Sequence, residues 1–352
     1  MSEEQEIIFT EITGRNGNVG LITLNRSKVL NALNHTMFVA FNKQLMQWAD
    51  NDAIKAVIVR AAPGRAFSAG GDIRYAYEKG LAKDPTLMDF FGDEYRLDQN
   101  IYHYPKPYIA LMNGMTMGGG AGISVNGAYR VATENLIFSM PETGIGFYPD
   151  IGASYFLSRL PGKMGLYLGL TGDRIAHNDC FALGLVNYVV SSTSLDDLIS
   201  AIVETSLEKH TDRVVSEVIN QFSLATEKSK LLTLQPEIDT CFSKNSMEDI
   251  LTALEHFPNA WCQQVDTNLR TKSPTSLKVT LKQLQRGATL TFDECIKLEY
   301  YITSQFVKGH DFYEGVRAAI IDKDQQPKWK PETLDEVTIS DVEAYFAPLE
   351  KV

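Results

Sequence analysis

Two carboxylates eight positions apart, Glu142 and Asp150, stand in the stretch Ser139-Met140-Pro141-Glu142-Thr143-Gly144-Ile145-Gly146-Phe147-Tyr148-Pro149-Asp150-Ile151-Gly152. The rest of the stretch is largely apolar and broken by Gly and Pro. An acid among apolar neighbours is costly to bury unless it is paired or used. Desolvation raises its pKa toward the range suited to general acid–base work. A structural alternative stays open for both: Glu142 could cap a helix, and Asp150 could be the N-cap of a helix beginning at Ile151.

Two glycine-rich loops precede that stretch. In Gly64-Arg65-Ala66-Phe67-Ser68-Ala69-Gly70-Gly71-Asp72-Ile73-Arg74, adjacent glycines let the backbone come close to a ligand and aim N–H groups into a cavity. A tight strand-to-helix connection explains the same residues. In Met117-Gly118-Gly119-Gly120-Ala121-Gly122, three glycines at a helix start expose N–H groups with the positive end of the dipole behind them, which suits an oxyanion or phosphate. Close helix packing is the alternative here. No Gly-Lys-Ser/Thr follows, so the loop is not a phosphate-cradling Walker A motif. Its spacing is not that of the dinucleotide fingerprint either.

The elements that must position these loops alternate. Apolar runs at 19–24, 56–61, 108–112, 129–132, 136–139 and 186–190 read as strands. Met37, Phe38, Phe41, Leu45 and Trp48 fall on one face of a helix over 34–48, and 87–102 also reads as helix. This is an α/β pattern. Beyond about 190–200 the strand signals nearly vanish and helical stretches take over, with starts at Ser194, Ser246, Pro258, Ser273 and Thr291. No repeat at a fixed period is visible.

Composition bounds the partners. Length alone, 352 residues, suggests about two domains. The net charge of −11, from 44 acids against 33 bases, argues against a broad nucleic-acid face. Cys180, Cys241, Cys262 and Cys295 lack CxxC spacing, and His35, His103, His177, His210, His256 and His310 form no HxH or HExxH pattern. No metal and no disulfide framework is implied, and a reducing compartment suits the cysteines. No Gly-x-Ser-x-Gly elbow occurs. No apolar run approaches the roughly 18 residues of a membrane span. The acidic start, Met-Ser-Glu-Glu-Gln-Glu, lacks a secretory pattern, and the end, Pro-Leu-Glu-Lys-Val, is not a Ser-Lys-Leu type address. The expectation is a cytoplasmic protein.

Ala-Phe-Ser-Ala-Gly-Gly-Asp-Ile, Asn-Gly-Met-Thr-Met-Gly-Gly-Gly-Ala-Gly and Met-Pro-Glu-Thr-Gly-Ile-Gly, in this order and spacing, resemble the crotonase (enoyl-CoA hydratase/isomerase) superfamily. Phe90-Phe91-Gly92-Asp93-Glu94-Tyr95, Phe147-Tyr148-Pro149-Asp150-Ile151-Gly152, Ser273-Pro274-Thr275-Ser276-Leu277-Lys278 and Gly309-His310-Asp311-Phe312-Tyr313-Glu314-Gly315 are similar to its 3-hydroxyisobutyryl-CoA hydrolase branch. The resemblance implies a crotonase-like spiral of repeated ββα units over 1–195 and a helical C-terminal region over 196–352. It makes the backbone amides of Gly71 and Gly119 the oxyanion hole. Hydratases of the superfamily use two glutamates. One matches Glu142; at the other position this chain has Gly122, and it carries Asp150 instead, as the hydrolase branch does.

The implied activity is therefore hydrolysis of a short β-hydroxyacyl-CoA thioester, first of all 3-hydroxyisobutyryl-CoA, as in valine catabolism. Glu142 and Asp150 would be catalytic. Glu94 would accept a hydrogen bond from the substrate; composition alone favours a solvated helix acid beside Arg96, and the resemblance reverses that preference. CoA is part of the substrate and no cofactor is implied. Arg26, Lys28, Arg74 and Lys272 are candidates for the CoA phosphates, and His310 is read as structural. The C-terminal helices could cover the site or mediate a homo-oligomer; no nucleic acid or membrane is expected as partner. Two rivals remain: a hydratase or isomerase using Glu142 alone, and a non-catalytic scaffold on the same fold.

Overall fold

A computed structural model of the chain describes residues 5–348. The terminal residues on which the absence of a leader and of a C-terminal address was partly read, 1–4 and 349–352, lie outside it. The chain divides into two compact units, each assembled from three segments: 1–72, 96–138 and 175–229 in the first, and 73–95, 139–174 and 230–352 in the second.

The strands belong to the first unit. β1 (Ile7–Gly14), β2 (Gly17–Leu24), β3 (Ile54–Ala61), β4 (Ala66–Ser68), β5 (Tyr108–Met112), β6 (Met115–Met117), β7 (Tyr129–Thr133), β8 (Ile137–Ser139), β9 (Ile175–Ala176) and β10 (Tyr188–Val190) form two sheets. One has the order β1-β2-β3-β5-β7-β10, the other β4-β6-β8-β9. The pairs β3–β4, β5–β6 and β7–β8 each send their first strand to the larger sheet and their second to the smaller, and both sheets keep the chain order of these strands. This is the repeated ββα winding. The repeats begin at Ile54, Tyr108 and Tyr129, at unequal spacing, so no fixed period shows in the sequence.

From β2 onward the larger sheet is parallel. A parallel sheet covered on both faces reads as near-continuous apolar runs, and Val57, Ile58 and Val59 are all fully buried. Alternate residues face one side. Val19, Leu21, Ala56, Ile58, Ile109, Leu111 and Val131 share a cluster with Leu198, Ile202, Val215 and Ile219 of the helices Leu195–Glu204 and Thr211–Phe222. Those helices thus belong to the first unit. The change of texture near residue 195 marks a change of element type, and the units are divided elsewhere. On the opposite face Gly20 leaves room for Trp48; a Cβ there would lie 2.5 Å from the indole.

The second unit is helical. At its centre the helix Pro274–Gly287 starts with Ser273 accepting from the Ser276 N–H and with Pro at the first turn, a favourable beginning. It buries Leu277, Val279, Leu281, Gln283 and Leu284. The helix Phe292–Phe306 is closed at its start by a Thr291/Glu294 capping box. No helix of the described residues is long and apolar enough to cross a membrane.

Candidate active site

In the second unit three segments bring carboxylates together. Glu94 lies on the helix Leu87–Tyr102, Glu142 opens the short turn Glu142–Ile145, and Asp150 follows eight residues later. Their exposures are 4, 6 and 6%. Glu94 is thus not a solvated helix acid. Aromatic residues near these acids in the chain pack together: Phe147 lies 5.9 Å from Phe91 and 5.5 Å from both Phe306 and Phe312 between ring centroids, and Tyr148 stacks on Phe306 at 5.2 Å.

Neither carboxylate of the loop caps a helix. The Tyr95 hydroxyl donates to Asp150 Oδ2 at 2.6 Å. The helix Ala153–Phe156 that follows is capped from far away in sequence. Glu299 Oε2 accepts from the Gly152 N–H at 2.7 Å and Oε1 from the Ser154 N–H at 2.9 Å. Gln283 Nε2 donates to the Pro149 carbonyl at 2.5 Å and to Ser154 Oγ at 2.8 Å, pinning the loop on both sides of Asp150. The backbone turns there through Ile151 at φ 57° and Gly152 at φ 88°. A left-handed β-branched residue is held only by surroundings that over-determine it, a condition found at functional sites.

Burial dominates the electrostatics. It raises Glu142 well above the ordinary range, helped by the charge of Asp150. Glu94 is raised by burial and then by Asp150 and Glu142. Asp150 is pushed by burial only to about 7, because the Tyr95 donor and its own backbone N–H favour the charged form. Glu299 is raised by burial to about 8 despite its backbone donors. Glu142 Oε2 is buried without a described hydrogen-bond partner.

The glycine pair lies in the first unit. Leu33 and Gly71 form a parallel bridge in which Leu33 donates to the Gly70 carbonyl and accepts from the Asp72 N–H, both at 2.8 Å. Those bonds flank Gly71, so its own N–H is turned from Leu33. Gly119 opens the helix Gly119–Val125, where the first N–H groups have no intrahelical acceptor. Among the described backbone hydrogen bonds neither amide donates. The two loops touch. Gly70, at φ 104°, would set a Cβ 3.0 Å from the Gly119 nitrogen, and a Cβ on Gly120 would meet the Ser68 carbonyl at 2.3 Å. Close packing and amides at a helix start are therefore both present.

The cation candidates differ in state. Arg26 is engaged by Glu6 at 2.7 Å and Asp72 at 3.1 Å, and donates to the Ala32 carbonyl. Lys28, two residues on, is exposed. Arg74 donates weakly to the Ile320 carbonyl, 3.3 Å away. Lys272 lies against Gly144, its Nζ 3.4 Å from where a Cβ would stand, and burial lowers its pKa. His310 Nδ1 sits 3.1 Å from Asp311 Oδ1, and Asp311 also accepts from Ser273 Oγ and the Lys330 N–H.

Sequence reasoning missed Tyr95, Tyr148, Gln283, Glu299 and Thr303. One signal was present: Glu299 falls among Cys295, Ile296, Ile302 and Phe306, an acid on the apolar face of a helix.

The chain is 42% identical over 349 residues to the mitochondrial 3-hydroxyisobutyryl-CoA hydrolase of Danio rerio, covering 98% of this chain and 90% of that one. It is 40% identical over 354 residues to the Homo sapiens protein of the same name, covering 99% and 91%. The solved structure of a carnitinyl-CoA dehydratase from Mycobacterium thermoresistibile is 35% identical and matches at a TM-score of 0.91, covering 99% of this chain and 98% of that one. The designation of the two hydrolases as mitochondrial overturns the cytoplasmic expectation. That expectation leaned on the lack of a secretory pattern, which an organelle-directed protein does not need. The sequence matches the enoyl-CoA hydratase/isomerase family over residues 19–346, and the fold is the ββα winding found in its solved relatives: the chain belongs to that family.

Proposed function

We propose that this protein hydrolyses a short β-hydroxyacyl-CoA thioester, with 3-hydroxyisobutyryl-CoA as the first candidate substrate. The observation that carries this reading is the buried carboxylate set Glu94, Glu142 and Asp150, in which Glu142 keeps an oxygen without a protein partner. Hydrolysis needs an acceptor for the proton of water beside a polarised carbonyl. In this reading the amides of Gly71 and Gly119 receive the thioester oxygen as charge develops on it. Water gives its proton to the Glu142–Asp150 pair while its oxygen bonds to the acyl carbon. The intermediate collapses with cleavage of the C–S bond, and the CoA thiolate takes up the proton. In a second route Glu142 itself attacks, forming a mixed anhydride that water then opens. Label in Glu142 after a single turnover in ¹⁸O water would establish the second route, since it enters only when water opens an anhydride at the glutamyl carbon. Glu94 accepts from the substrate's β-hydroxyl.

The 35% identity to a dehydratase favours one competing reading, water addition or removal across an alkene. Gly122, buried in the helix Gly119–Val125, stands where hydratases of the superfamily hold a second glutamate, and this speaks for hydrolysis. The test is release of free thiol from a panel of short acyl-CoAs, with and without a β-hydroxyl, beside an assay of alkene hydration. Thiol release confined to hydroxylated substrates is expected; hydration without thiol release would overturn the proposal.

A further inference from the structure

Asp150 interacts with titratable groups from four directions: Glu94 and Tyr95 on the helix Leu87–Tyr102, Glu142 on its turn, Tyr148 in its own loop, and Glu299 on the helix Phe292–Phe306, whose Thr303 contacts the Tyr95 hydroxyl. Among the described residues no Lys or Arg pairs with Glu94, Glu142 or Asp150. Three carboxyl groups in one desolvated space do not all ionise together. Which of them gives up the first proton depends on which has a donor to stabilise the anion.

The hydroxyl chain supplies one such donor, and it points one way. Tyr148 donates to the Glu299 carbonyl at 2.6 Å. Thr303 Oγ1 lies 2.8 Å from the Tyr148 hydroxyl and 2.6 Å from the Tyr95 hydroxyl. An ionised carboxylate only accepts, so the Tyr95 hydrogen is committed to Asp150. The 2.6 Å contact of the Tyr95 oxygen with Thr303 Oγ1 is then a hydrogen bond with Thr303 as donor, which leaves Thr303 no hydrogen for Tyr148. No side-chain donor is described for Glu94 or Glu142, and Glu142 Oε2 is left bare.

We infer that Tyr95, oriented by Thr303, is a positioning residue that makes Asp150 the first carboxylate of the cluster to lose its proton. This deepens the proposed hydrolase reading and rests on it for its kinetic consequence. Asp150 then presents the fixed negative oxygen to which the attacking water or the substrate hydroxyl is aligned.

The test is Tyr95→Phe, which keeps the buried ring and removes the hydroxyl. Loss of the donor raises the pKa of Asp150. The ascending limb of kcat/KM against pH should move up by about one unit, turnover at pH 7 should fall about fivefold, and KM should change less than about threefold. Thr303→Val should move the limb the same way by less, and Thr303→Ser should restore it. An unmoved limb in Tyr95→Phe overturns the inference, even if the variant melts earlier, because packing alone does not move that limb. A second reading needs no activity: isotope-edited infrared titration of the Asp150 carboxyl, assigned by its loss in Asp150→Asn. If the wild type releases no thiol, the hydrolase reading fails while this titration still decides the role of Tyr95. An upward shift of the Asp150 band in Tyr95→Phe supports that role, and an unchanged band overturns it.

Discussion

In the first unit the groups with chemical potential are main-chain N–H groups, at Gly71 and Gly119; in the second they are carboxyl side chains, at Glu94, Glu142 and Asp150. The amides owe their state to short stretches of small residues, since the Gly70 backbone reaches Gly119 only because no Cβ intervenes. The carboxylates owe theirs to distant residues. Asp150 is held by Tyr95, 55 positions away, and the helix after it by Glu299, 147 and 145 positions from its partners. The freedom of each amide is thus written in its own glycine stretch, whereas the state of each carboxylate is set by side chains distant in sequence; bringing either set together takes long-range contacts, and substitutions should separate the two.

The largest effect is expected where the side chain itself does the work. Glu142→Gln should lower thiol release by at least about a thousandfold while the protein stays folded. Turnover near that of the wild type would remove Glu142 from the chemistry. Gly70→Ala tests the backbone region. The left-handed φ and the 3.0 Å approach to the Gly119 nitrogen leave no place for a methyl group. A fall in kcat of about a hundredfold is expected, the loss associated with one misplaced oxyanion donor. A change under about threefold would show that these amides do not hold the carbonyl.

Asp150→Asn should cost at least about tenfold in turnover, or about 1.4 kcal/mol in the barrier. Stability sharpens the comparison. The folded pKa of Asp150, about 7, lies above its ordinary 3.8. Ionisation is therefore easier in the unfolded chain, and the contribution of this group to stability is full below about pH 3.8 and is lost as pH rises to about 7. Asp150→Asn removes that loss. In urea denaturation at pH 8 it should be at least as stable as the wild type, although slower; a clear loss of stability there would overturn the burial cost assigned to the Asp150 charge. The smallest catalytic effect belongs to Glu299→Ala, which removes two capping contacts. It should lower unfolding free energy by about 1–2 kcal/mol and change kcat by less than the Asp150 variant.

Many elements were legible because their signals are local. Asn34 caps the helix His35–Asp50 through the Met37 N–H, and the stripe Met37, Phe38, Phe41, Leu45 and Trp48 is buried. Starts read at Ser194, Ser246, Ser273 and Thr291 are N-caps in the structure, and the start read at Pro258 falls one residue before its cap, Asn259. Strands β4 and β6 escaped notice because they are short and adjoin the glycine-rich stretches, whose small residues dilute an apolar run. β1 escaped because neither of its faces is fully buried, which weakens the contrast that alternation relies on.

The order of the glycine loops and of Glu142 and Asp150 along the chain was enough to place the family, because local backbone requirements and apolar loop composition are properties of contiguous residues. The protonation order among buried acids is a property of three-dimensional neighbours. Desolvation depends on what packs around a carboxyl group, and the choice of anion depends on which hydroxyl arrives within hydrogen-bond reach. Both follow only once helices distant in sequence have packed.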